Sequence, residues 1–242
     1  MRTEVPGAPG AAERLRIVLI DRAATIGPEL GPGPRPRIEA ALSAAGIELR
    51  LGVTVRALAA GRVGFADGSD LAADAVVLAT GMAAAPFAGE IPGARDKFGR
   101  VIVDADLRAP AAPQVFVAGD AAAADTGDGH PTLQSCQHAN QLGRVAGENA
   151  ARDLLGLPTV LYRQLRYLTC LDLGRSGAVI TEGWERRVQK TGSEGKAVKR
   201  LINAQIIYPP ADATAEALLA SSSIELAERA GGLDRTIAGR AA

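Results

Sequence analysis

The residues best placed to do chemistry sit where apolar runs end. Val115-Phe116-Val117-Ala118-Gly119-Asp120-Ala121-Ala122 reads as a strand that stops at Gly-Asp and continues in small residues. Glycine lets a main chain approach a ligand closely, and the Asp120 carboxylate can accept hydrogen bonds from ligand hydroxyls. The run Leu15-Arg16-Ile17-Val18-Leu19-Ile20-Asp21 ends in an acid. In a nucleotide-binding βαβ unit, an acid at the end of the second strand accepts hydrogen bonds from the adenosine ribose and repels a phosphate on it. Arg22 beside it would suit that phosphate instead, and a strand ending in Asp also serves simply to begin a turn. Ala75-Val76-Val77-Leu78-Ala79-Thr80-Gly81 is a third apolar run reaching a glycine, suited either to close approach of a nucleotide or to a tight turn.

The elements that must position these residues follow from periodicity and punctuation. A loop holding Pro28, Gly31, Pro32, Gly33, Pro34 and Pro36 leads to Ile38, Ala41, Leu42 and Ala45 at helical spacing, with Gly46 as the stop. Ile47 to Leu51 and Val53 to Leu58 are strand candidates, and Arg62 to Phe65 followed by Asp67-Gly68 predicts a hairpin arm. A short strand is expected at Val101 to Val103. Pro131 and Thr132 introduce a long helix from about Leu133 to Leu155, ended by Gly156 and Pro158. Its N-terminus, around Gln134, Ser135 and Cys136, presents free N–H groups and the positive end of a helix dipole. His138 reads as a partly exposed helix residue. A strand at Gly177 to Thr181 and helices near Ser193 to Ala204 and Thr214 to Ala230 complete the pattern, which divides into residues 1–82, 83–156 and a small α+β cap over 157–242.

Bulk properties narrow the classes further. With 242 residues and 47% hydrophobic content the chain can bury a sizeable core, and 27 basic residues balance 27 acidic ones, which gives no sign of a nucleic-acid partner. No apolar run is long enough to span a bilayer and the first residues lack a signal-type core, so a cytoplasmic location is expected. Cys136 and Cys170 have neither redox-pair nor zinc-site spacing and are expected as buried free thiols. Lys190, Lys196 and Lys199 flank an apolar seam of Ala197, Val198, Leu201 and Ile202. That helix is expected to pack on the cap, with attachment to an anionic membrane surface as the alternative.

Taken together, Ile17 to Gly81, Gly119-Asp120 and Leu133 to Asn149 resemble the pyridine-nucleotide flavoprotein oxidoreductases, closest to the type II NADH dehydrogenase branch. The resemblance covers about residues 15 to 208. It implies an α/β fold with two dinucleotide-binding domains and the cofactors FAD and NADH. It places Asp21, Thr80, Gly81, Gly119, Asp120, Gln134, Ser135 and Cys136 at cofactors, with a quinone or other small molecule as electron acceptor. Two departures matter. The branch uses two glutamines four residues apart, whereas His138 follows Gln134 at that distance, and Gln137 with Gln141 have the spacing in another register. The glycine fingerprint that should precede Asp21 by about 20 residues, GxGxxG, is also absent from the 242 residues, as is the one that opens the FAD half. The expectation is therefore a chain lacking the N-terminal FAD half, not active by itself, either self-associating through exposed apolar surface or needing a partner that carries the pyrophosphate site.

Overall fold

The computed structural model describes residues 15–208 and 213–224, so the expected helix tail at Arg2-Thr3-Glu4 and the end of the last expected helix lie outside the described residues. The chain clusters into two compact units, residues 1–79 with 168–200 and residues 80–167 with 201–242. The segment 157–242, read from the sequence as one cap, is shared between them in this division.

In the first unit, β1 (Ile17–Asp21) runs parallel to β2 (Ile47–Leu51), with Ile17 opposite Ile47 and Asp21 opposite Leu51. The crossover is α1 (Arg35–Ala44), which buries Ile38 and Ala41 and stops before Gly46, whose φ is +65°. A meander of β3 (Val55–Ala59), β4 (Arg62–Phe65) and β5 (Asp70–Ala72) follows, burying Val63 and Phe65. Its turn is tied by the Asp67 carboxylate, which accepts the Ser69 N–H at 2.9 Å, as the Asp67-Gly68 signal predicts. Later in the chain β10 (Leu168–Asp172), β11 (Ala178–Glu182) and β12 (Arg187–Lys190) form an antiparallel sheet against which α3 (Gly192–Leu201) packs. A side chain at Gly177, whose φ is +90°, would put its Cβ 2.2 Å from the Gly192 carbonyl oxygen, so only glycine fits. Val198 faces inward, Lys196 pairs with Asp172 at 2.6 Å and Lys190 pairs with Glu194, which is the packed arrangement expected of this helix.

The expected strand Ala75–Gly81 is not formed. These residues belong to no strand or helix, and among the described residues no backbone group pairs with them. Val76, Val77 and Leu78 are 45%, 90% and 65% exposed. An apolar run of this kind is stable as a central strand only between neighbours that cover both faces and both edges, and the described chain supplies none. Exposed apolar backbone of this type templates association. The chain is expected to self-associate in sizing chromatography and Leu78→Lys to shift it toward monomer; a wild-type chain eluting as a single monomeric species would count against this.

The second unit is built on α2 (Cys136–Leu154), whose inward stripe is His138, Gln141, Leu142, Val145, Ala146 and Asn149. Leu142, Val145 and Ala146 join Val101, Leu107, Val117, Ala122 and Tyr162 in one apolar core. The antiparallel pair β7 (Arg108–Ala109) and β8 (Ala112–Phe116) and the parallel pair β6 (Val101–Ile102) and β9 (Ala122–Ala123) frame it. A short helix, α4 (Ala215–Ser221), begins at Thr214, whose hydroxyl accepts the Ala217 N–H.

Candidate functional site

The Gly-Asp motif lies where β8 ends. Val117 N–H bonds the Leu107 carbonyl, the chain passes Gly119 at φ +66°, and one 3-10 turn over Gly119–Ala121 carries it into β9. That left-handed glycine lifts Asp120 to the surface, where its carboxylate meets no partner among the described residues. The main chain of Asp120 is held, since its carbonyl accepts the Gln134 Nε2 at 3.2 Å.

Gln134 is in turn placed by a rigid turn. Thr132 N–H bonds the Ala124 carbonyl, and the Thr132 hydroxyl accepts the Ala124 N–H at 3.2 Å. Arg100, only 5% exposed, donates to the Thr132 carbonyl at 2.7 Å and to the Asp96 carboxylate at 2.7 Å. Ser135 caps α2, its hydroxyl accepting the His138 N–H. The unit thus brings Gly119, Asp120, Gln134, Ser135 and Cys136 onto one contiguous stretch, with the Cys136 N–H at the open end of α2.

Burial raises the Asp96 carboxyl's affinity for a proton. The hydrogen bonds from the Arg100 side chain, the Arg100 N–H and the Phe98 N–H outweigh this, leaving it below the ordinary carboxylate range. A carboxylate with a depressed folded-state pKa adds stability that is complete above its unfolded value, about 3.9, and is lost as pH falls through the lower folded value. Asp96→Asn is expected to destabilise the unit by about 2 kcal/mol at pH 7 and to flatten the fall in stability below pH 4. Chemical denaturation at pH 7 and pH 3 checks this, and an unchanged difference between the two pH values would contradict it.

Asp21 ends β1 as expected, and its Oδ1 accepts the Ala23 N–H at 2.9 Å, while Oδ2 meets no partner among the described residues. Thr80 and Gly81 do not form the expected strand end. They are exposed, and Gly81 at φ +104° has nothing within 4 Å of an added Cβ. Cys136 is exposed and Cys170 half-buried, which corrects the expectation of buried thiols: the first helical residue after a cap points outward. His138, expected at a helix surface, is fully buried and stacks on Tyr167 with ring centroids 4.8 Å apart. Sequence reasoning missed Arg100 and Asn149; Asn149 carried a signal, being a polar residue at an inward position seven after Leu142.

The family model described as pyridine nucleotide-disulphide oxidoreductase matches residues 9–143. An NADH dehydrogenase-like protein of Mycobacterium tuberculosis is 43% identical over 226 residues, which are 91% of this chain and 56% of the relative. The chain therefore spans about half the length of the curated relatives it matches. Among solved structures, the sulfide:quinone oxidoreductase of Aquifex aeolicus superposes with a TM-score of 0.64 at 15% identity, covering 89% of this chain and 52% of that one. The water-forming NADH oxidase of Lactobacillus brevis gives 0.58 at 22% identity, covering 72% and 38%. Both likenesses show the α/β fold. The family match over more than half of the chain and the 43% identity to the mycobacterial protein show that the chain belongs to the pyridine nucleotide-disulphide oxidoreductase family.

Proposed function

We propose that the chain provides the ribityl and isoalloxazine end of an FAD site, and the adenosine-ribose contact for NADH, in an NADH dehydrogenase-type oxidoreductase. The observation that carries this is the Gly119-Asp120 turn tied through Gln134 to the N-cap of α2. FAD held there supplies the capacity to take hydride from NADH and pass electrons to a quinone or other small acceptor.

The protein's own part is to bind and orient. The exposed Asp120 carboxylate accepts hydrogen bonds from ribityl hydroxyls. The Cys136 N–H and the positive end of α2 favour negative charge on the pyrimidine edge. Asp21 Oδ2 accepts from the adenosine ribose and favours NADH over NADPH. The residues present fit these ends of the cofactors, whereas the 242 residues hold no GxGxxG fingerprint for a pyrophosphate.

A second reading, a non-catalytic fragment or subunit that needs a partner chain, draws on the uncovered Val76 to Leu78 run. NADH oxidation with a water-soluble quinone, assayed with FAD on the chain alone and on the chain joined to the unmatched part of the mycobacterial relative, separates the two. The joined protein is expected to turn over and the chain alone to be silent. Silence in both would favour the second reading, and turnover by the chain alone would overturn the half-site account.

A further inference from the structure

We infer that His138 is a positioning residue that shapes the flavin-facing turn at the start of α2 without touching the ligand. The inference rests on the flavin reading above for what the turn faces, and on separate geometry for how the turn is held.

The His138 Nδ1 accepts the Leu133 N–H at 3.4 Å and lies 3.0 Å from the Ser135 hydroxyl, which itself accepts the His138 N–H at 3.4 Å. This is a reciprocal cap in which the third residue of the helix reaches back past the N-cap, with imidazole in the place usually taken by Glu or Gln. The Leu133 N–H is aimed at Nδ1, so that nitrogen serves as the acceptor in this contact. The ring is immobilised by its burial and by the stack on Tyr167, with 22° between the planes. Residues 133–135 therefore wrap around a fixed imidazole.

Two groups of the site depend on that wrap. Gln134, at the middle of the turn, reaches the Asp120 carbonyl from this conformation, and the Cys136 N–H takes its direction from the capped first turn. Removing the Nδ1 acceptor strands the Leu133 N–H and frees the turn, while α2 keeps its inward stripe.

The test compares His138→Phe, which keeps the ring and loses the acceptor, with His138→Asn, whose Oδ1 takes the position of Nδ1. Amide hydrogen exchange over residues 133–136 is read on the chain as it stands. Exchange is expected to speed about tenfold in the Phe variant, the equivalent of one lost hydrogen bond, and to return within about threefold of wild type in the Asn variant. Ser135→Ala, which removes the reciprocal hydroxyl, provides the same reading should the Phe variant fail to fold. Wild-type exchange in both folded variants that lack a cap partner overturns the positioning role. FAD titration of the protein joined to the relative's unmatched part reads the link to flavin: affinity is expected to fall about tenfold in the Phe variant and recover in the Asn variant. Loss of exchange protection with unchanged FAD affinity overturns that link, and failure of the wild-type joined protein to take up FAD overturns the flavin reading itself.

Discussion

Asn149→Leu is expected to lower the stability of the second unit by about 3 kcal/mol, a drop in melting temperature of roughly 15 °C for a domain of this size. Asn149 is fully buried on the inward stripe of α2. Its amide donates to the carbonyls of Asp106 and Val160, both at 2.9 Å, and its oxygen accepts the Val160 N–H at 2.8 Å. One side chain thus fastens the helix to the turn before β7 and to the segment that follows the helix. Leucine fits the volume but strands three main-chain groups, and leaving such groups unpaired costs more than the net worth of the bonds. Among the described residues no group other than Asn149 pairs with the Val160 N–H or carbonyl. Thermal melts give the answer directly, with Gly147→Ala as a control on the same helix. Gly147 has open space around an added Cβ, so alanine there should stabilise by about 0.5–1 kcal/mol through helix propensity alone. A melting temperature within about 3 °C of wild type for Asn149→Leu would contradict the fastening role.

The second large effect concerns the ligand instead of the fold. Asp120→Ala in the joined protein should weaken FAD binding by about 100-fold, the loss of two charge-assisted hydrogen bonds at about 1.5 kcal/mol each. Asp120→Asn keeps an acceptor but not the charge and should cost about tenfold. The melting temperature without flavin should move by less than about 2 °C in both, because the Asp120 carboxylate is exposed and holds no other group among the described residues, while the Gln134 bond is to its main chain. That separation of binding from stability is what a ligand contact produces and a structural residue does not. Flavin fluorescence titration with parallel melts measures it; equal loss of stability and affinity would assign Asp120 to the fold.

The local elements were legible because their signals are local. The β1-α1-β2 crossover follows from two apolar runs around a helical period closed by Gly46, and the β4-β5 turn follows from Asp67-Gly68. The Gly119-Asp120 elbow and α2 were legible for the same reason, although the helix begins at Cys136 because Ser135 takes the cap. Ala75 to Gly81 shows the limit of such reading. Its apolarity indicates that the run can be buried, but not which strands would cover it. His138 and Arg100 were illegible for a different reason. Each is polar, and its burial depends on partners 29 to 32 residues away in sequence, Tyr167 and the Thr132 carbonyl. Periodicity reports the face of a helix and carries no information about a hydrogen bond closed by a distant turn.

The claim that this chain carries one end of a flavin site is tested most directly by FAD titration of the chain alone and of the chain joined to the unmatched part of its mycobacterial relative. The account predicts a colourless chain alone and one tightly held FAD per joined molecule, lost in Asp120→Ala. A joined protein that binds no FAD, or one that binds it equally well without the Asp120 carboxylate, would contradict it.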